Sequence, residues 1–181
     1  MDRLLKGALL FPAIFAVGYV IPFLPKRKRL RDLHYIKIFL IVVCWSFVTV
    51  VLPVFENHVI NNIPMSIMAM ERSCYIFALA MLFDIRDVSV DKANRVHTIP
   101  EGLGINRAKV LAYLALVIMV AFAWLNFRLD AYTLGNFLSI GISGILSAFL
   151  VYFSSEQRSD YFFCGLVDGM LLLQLPLILL L

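Results

Sequence analysis

The sequence predicts an all-α, polytopic transmembrane helix bundle, and three observations carry that prediction. Apolar residues make up 62% of the 181 positions and charged residues 15%, against roughly 45–50% and roughly 25% in average usage. Mean hydropathy is +0.90. A soluble domain of this size has too little interior to hide so many apolar side chains. The apolar residues also fall in long runs that do not alternate with period two, which selects helices over a β-barrel. Finally, the basic residues gather in a few connections between those runs instead of spreading over a face. The isoelectric point near 9.1 therefore reflects topology in a lipid bilayer and not a nucleic-acid partner.

Six apolar runs are long enough to be read as spans, at about 7–24, 36–54, 63–83, 109–126, 132–153 and 161–181. Together they make residues 1–181 a single transmembrane domain with short connections. Pro22 and Pro25 are expected to close the first span and Pro53 the second. Asn61, Asn62 and Pro64 are expected to open the third. The fifth carries Gly135, Gly141 and Gly144 with Ser139, Ser143 and Ser147, a small-residue face suited to close helix packing. Cys44, Cys74 and Cys164 stand alone in apolar runs and read as packing residues.

Lys26, Arg27, Lys28, Arg29, Arg31 and Lys37 fall in the first connection. Arg86, Lys92, Arg95, Arg107 and Lys109 fall in the third, and Arg158 in the fifth. With six alternating spans these three connections share one side, so that side is the cytoplasm and the protein is a multi-pass protein of the cell's inner membrane. Both termini then lie outside, although Arg3 and Lys6 sit at the start. An odd number of further spans upstream would make that arrangement natural.

The segment Phe83-Asp84-Ile85-Arg86-Asp87-Val88-Ser89-Val90-Asp91 is the most informative. Asp84, Asp87 and Asp91 are spaced i, i+3, i+7 and share one helical face where the third span leaves the membrane. Three like charges on one face need a neutralising cation. Hard carboxylate oxygens suit Mg²⁺ bridging to a substrate diphosphate. The plainer alternative is a solvated helix end tempered by Arg86 and Lys92.

With Thr98-Ile99-Pro100 and Gly104 following, this run resembles the second aspartate-rich motif of the UbiA-type membrane prenyltransferases. Pro22-Phe23-Leu24-Pro25-Lys26-Arg27 before a span containing Trp45 looks like the family's Lys/Arg-bearing connection. Asp160-Tyr161 and Asp168-Gly169 are similar to its last helix. The resemblance implies a bundle of about nine helices, of which this chain would supply six. It implies transfer of a prenyl group from a prenyl diphosphate to an aromatic or similar lipophilic acceptor, with Mg²⁺ as cofactor. Asp84, Asp87 and Asp91 would hold metal and diphosphate, and Lys26, Arg27 and Arg86 would bind substrate, in a cavity open to the cytoplasm. Arg95 stands where the family usually has Gly. The family's first motif, Asn-Asp-x-x-Asp, is not among these 181 residues, so the chain resembles the C-terminal two-thirds of such an enzyme. The alternative is a non-catalytic truncated chain, or a subunit that needs a separate N-terminal half.

Other marked residues have plainer expectations. The cluster from Lys26 to Arg31 also suits a topology anchor on anionic lipid. Glu71, Arg72 and Asp168 are ionisable groups inside spans and need partners, and an Arg72–Asp168 pair is expected. A small transporter built on Glu71 and Arg72 would leave the aspartate motif unexplained. His34, His58 and His97 read as loop histidines, Asn94 as a cap or substrate contact, and Thr98 as a brace before Pro100.

Overall fold

The computed structural model describes residues 3–21, 35–57 and 62–180. All regular structure among them is helical. Helix α1 (Arg3–Val20) ends two residues before Pro22, as the backbone restriction ahead of a proline requires. Helix α2 (Ile36–Ser46) runs into a wide π turn (Phe47–Val51) and on through α3 (Leu52–Asn57). The long α4 (Asn62–Arg86) has Pro64 in its first turn, where the missing N–H is harmless. Two short helices follow, α5 (Val88–Ala93) and α6 (Ile99–Leu103). Then come α7 (Ile105–Arg128) and α8 (Leu134–Phe153). A second π turn (Phe162–Val167) leads into α9 (Asp168–Leu180).

Four helices are long and apolar enough to cross a membrane: Ile36–Val54, Ile63–Arg86, Ile105–Arg128 and Leu134–Phe153. They coincide with the second to fifth expected spans. Among the described residues the first and last expected spans are shorter apolar helices, Gly7–Val20 and Phe162–Gln174. Leu10, Ile14, Val117, Ile145 and Leu172 are exposed on the outer faces. So much apolar surface turned outward is what a bilayer covers and water does not. The protein is an integral membrane protein by this measure.

Pro53 does not end the second helix, contrary to expectation. The ring of an internal proline collides with the carbonyl four residues back, here that of Thr49. The wide turn just ahead moves the backbone aside: Leu52 N–H reaches back five residues to Phe47 C=O. Thr49 Oγ1 meanwhile donates to Trp45 C=O at 2.7 Å. The helix thus absorbs its proline and continues.

Helix α4 is the centre of the bundle. It packs on α7 and on α2, with α8 behind α7 and α9 against α8. Ala108, Ala112, Ala115, Met119 and Ala123 of α7 are buried in a stripe at helical spacing. They meet Tyr75, Ala78, Leu79, Leu82 and Ile85 of α4 in the core. Small residues let two backbones approach closely where no hydrophobic drive between helices exists. The glycine–serine face of α8 works the same way: Ser139, Ser143, Gly144 and Ser147 are buried. Gly141 lies off that face, with open space where a side chain would stand. Each serine also finds a polar partner. Gln174 Nε2 donates to Ser143 Oγ at 3.0 Å, Ser139 Oγ donates to Leu177 C=O at 2.9 Å, and Ser147 Oγ lies 3.4 Å from Tyr75 Oη.

At Gly144 a methyl group would stand 2.9 Å from Met119 Cε and 3.5 Å from Val120 Cγ2. The methionine tip can swing away, so Gly144→Ala is expected to cost under about 1 kcal/mol. Gly144→Leu should force α7 and α8 apart at about 2 kcal/mol. Unfolding of both variants by graded denaturing detergent would measure the difference. Equal stability would mean that the α7–α8 contact is loose.

Candidate functional site

The end of α4 carries the acidic face into α5 almost without a break. Asp87 N–H donates to Phe83 C=O at 3.0 Å and Asp91 N–H to Asp87 C=O at 2.8 Å. The i, i+3, i+7 spacing therefore survives the junction. The three carboxylates converge on a single cation, Lys37 of α2. Its Nζ lies 2.9 Å from Asp84 Oδ1, 3.8 Å from Asp91 Oδ2 and 4.0 Å from Asp87 Oδ2. Asp84 is buried, with 4% of its side chain exposed. Burial also pushes the Asp91 carboxyl above the usual carboxylate range. The Lys37 ammonium pulls it back, Asp84 and Asp87 push it up again, and the net displacement is upward.

Lys37 owes its place to the loop after α5. Tyr35, in left-handed backbone at φ 59, donates its N–H to His97 C=O at 2.9 Å. Its ring lies over Gly102, where a methyl group would stand 3.0 Å from Tyr35 Oη. The start of α2 is thereby pinned beside the acidic face. That loop begins with a Schellman closure of α5: Arg95 N–H bonds to Lys92 C=O and Val96 N–H to Asp91 C=O. Arg95 occupies the left-handed position of the closure, at φ 55, a conformation that costs a non-glycine residue about 1 kcal/mol.

Arg86 holds Asp87 with two hydrogen bonds, 2.7 Å from Nε to Oδ1 and 3.2 Å from the guanidinium terminus to Oδ2. It also stands 3.7 Å from Asp160 Oδ1. The guanidinium lies 5.3 Å from the Phe83 ring centre and 5.5 Å from that of Phe163, within cation–π reach. Beneath this charged group opens a cavity of about 630 Å³ between α1, α2, α4 and α9. Lys37, Asp84, Arg86, Asp87 and Asp168 are the charged residues of its wall. The rest includes Phe15, Leu40, Ile41, Trp45, Val48, Leu79 and Leu171. It is an apolar chamber with Lys37, Asp84, Arg86 and Asp87 gathered at one end.

The donor set is all carboxylate oxygen, the chemistry of a hard divalent cation. Asp91 Oδ2 is buried without a hydrogen-bond partner, its ion-pair distance of 3.8 Å to Lys37 Nζ being too long for one. Among the described residues no three acidic, histidine or cysteine side chains are already arranged as a metal cage. The ammonium of Lys37 stands where the ion would. The residues fit Mg²⁺ in kind, provided Lys37 moves.

Asp84, Asp87, Asp91 and Arg86 are thus brought together, Asp160 stands beside Arg86, and Asp168 lines the same cavity. Lys26 and Arg27 lie outside the described residues. The expected Arg72–Asp168 pair does not form: Arg72 Nε lies 3.9 Å from Glu71 Oε1, next to it in sequence. Asp168 sits exposed on the cavity wall. Glu71 is fully buried and accepts from Tyr132 Oη at 2.8 Å. His97 Nδ1 pairs with Glu101 Oε2 at 2.9 Å, and Asn94 is the C-cap of α5. Thr98 precedes α6 with its Oγ1 buried and unbonded. Cys44 and Cys74 are half-buried, whereas Cys164 is exposed and does not pack inside.

Lys37 is the site residue that sequence reasoning missed, having been counted only toward topology. Its signal was available: it is the one charge near the start of an otherwise uninterrupted apolar span, and such a charge needs a partner.

No protein-family model, curated protein or solved structure matches the chain.

Proposed function

We propose that this protein is a UbiA-type prenyltransferase. It would take a prenyl diphosphate, with the head at Asp84, Asp87 and Asp91 through Mg²⁺ and the tail in the apolar cavity, and pass the prenyl group to an aromatic or similar acceptor. The observation that carries this reading is the cavity itself, a hydrocarbon-lined chamber of about 630 Å³ ending on a cluster of carboxylates and cations. That polarity matches a ligand with an anionic head and an isoprenoid tail. Mg²⁺, when bound, would neutralise the head and help the diphosphate leave. Arg86, between Asp87 and the aromatic rings, would orient the head. A dry apolar wall would keep water from the allylic carbon.

Two details support the motif resemblance. The position that the family fills with glycine is the left-handed residue that closes α5, where glycine is the natural choice and Arg95 is tolerated at a cost. Of the similar aspartates of the last span, Asp160 lies 3.7 Å from Arg86 beside the motif, and Asp168 lines the same cavity. In this reading the chain forms six spans of a nine-helix architecture, in the cell's inner membrane. The charged end faces the cytoplasm with the basic connections.

A second reading has one observation in its favour. Lys37 already pairs with the triad's carboxylates, as it would in a non-catalytic chain or in a subunit working with a separate N-terminal half. Binding of a radiolabelled prenyl diphosphate to the purified chain tests the first reading. Saturable binding, lost on chelation and not reproduced by the prenyl alcohol of equal length, is the expected result. Equal binding of alcohol and diphosphate would sink the head-group assignment. Binding without transfer to any acceptor would favour the second reading.

A further inference from the structure

Resting on that reading of the site, we infer that Lys37 is a built-in competitor for its cation: an ammonium that closes the aspartate triad until a divalent ion displaces it. Lys37 Nζ lies within 4.0 Å of all three carboxylates, at the point where oxygens from Asp84, Asp87 and Asp91 converge. An ion coordinated there and the ammonium cannot share the space, and their charges repel. The two are therefore mutually exclusive occupants of one position.

The lysine is also built to leave. It approaches from α2, a different helix from the one bearing the carboxylates, on a four-carbon stem that is partly exposed at the cavity. Rotation about that stem moves the charge without moving either helix. A displaced ammonium stays at the charged end of the cavity, where the anionic head of a ligand would lie, so the same residue is released by the cation and attracted by the anion. Arg86 is unsuited to this exchange, because two hydrogen bonds to Asp87 and two aromatic rings hold its guanidinium.

Mn²⁺ alone, added to the full chain in detergent micelles and followed by the loss of its free-ion magnetic resonance signal, tests the competition. Lys37→Gln should bind Mn²⁺ at least about tenfold more tightly than the wild type, the coupling expected when a direct competitor is removed. Equal affinity overturns the inference and leaves the metal reading standing. Absence of Mn²⁺ binding from both proteins overturns the inference and, separately, the metal role of the triad. Because the variant exposes three carboxylates to one another and can fail to fold, the wild type supplies a second readout. Saturating Mn²⁺ should raise acylation of Lys37 by an amine-reactive ester several-fold, read by peptide mass spectrometry. Unchanged labelling, with Mn²⁺ bound, would overturn the exchange even if no variant could be purified.

Discussion

Asp87→Ala is expected to abolish prenyl transfer, lowering turnover by on the order of a thousandfold or more, while the protein still folds. The two halves of this expectation have separate causes. Asp87 lies between the convergence point and Arg86, 4.0 Å from Lys37 Nζ on one side and doubly bonded to the guanidinium on the other. Removing it would take away one of the proposed Mg²⁺ ligands and free the arginine to turn toward Asp160, already 3.7 Å away. Its contribution to stability is small by comparison. The side chain is 28% exposed, and ion pairs in contact with water are worth about 1 kcal/mol or less. Initial rates with a labelled prenyl diphosphate, alongside a thermal melt in detergent, would check both halves. Wild-type turnover in Asp87→Ala would remove the triad from the mechanism. A collapsed melt would instead make the residue structural.

The largest stability effect is expected at Glu71, far along α4 from the triad. The carboxylate has no exposed surface. Tyr132 Oη donates to one oxygen, and the Arg72 guanidinium stands 3.9 Å from the other. Glu71→Ala strands both partners, and leaving a largely buried cation uncompensated costs on the order of 3 kcal/mol. Glu71→Gln keeps an oxygen for the tyrosine and should cost about 1 kcal/mol, in line with single interhelical hydrogen bonds in membranes. Reversible unfolding in mixed detergent micelles would rank the two. The expected order is wild type, then glutamine, then alanine. If alanine proved as stable as wild type, Arg72 would have access to water or lipid headgroups and the pairing would be incidental.

The parts of this architecture that depend on composition along the chain are legible in the sequence alone. Four spans appear where long apolar runs without period-two alternation predict them, since a helix satisfies its own backbone polar groups in lipid. The shared face of Asp84, Asp87 and Asp91 followed from spacing, because a helix repeats its directions whatever surrounds it. What escaped were features set by a second element. Lys37 meets the triad because Tyr35 bonds to His97, a contact between segments some sixty positions apart, and one-dimensional periodicity has no access to it. The Arg72–Asp168 expectation failed for the same reason. Comparable depth in a bilayer does not specify rotation about the helix axis, and Asp168 turns to the cavity. Pro53 reads as a terminator because the rule for prolines assumes a regular helix, and one wider turn is enough to evade it.

The two wide turns carry a consequence for how this chain tolerates change in length. Each holds one residue more than an ordinary helical turn, and each lends a side chain to the cavity: Val48 in the first, Val167 in the second. Elsewhere in a helix, losing a codon rotates everything downstream by about 100° and turns a lipid face inward. Within Phe47–Val51 or Phe162–Val167 the surplus residue is already looped into the spiral, so its loss would tighten the turn and leave the flanking faces where they are. The chamber's walls can thus be trimmed by a single residue at two places without re-registering the bundle, so its shape can change while the membrane scaffold stays the same.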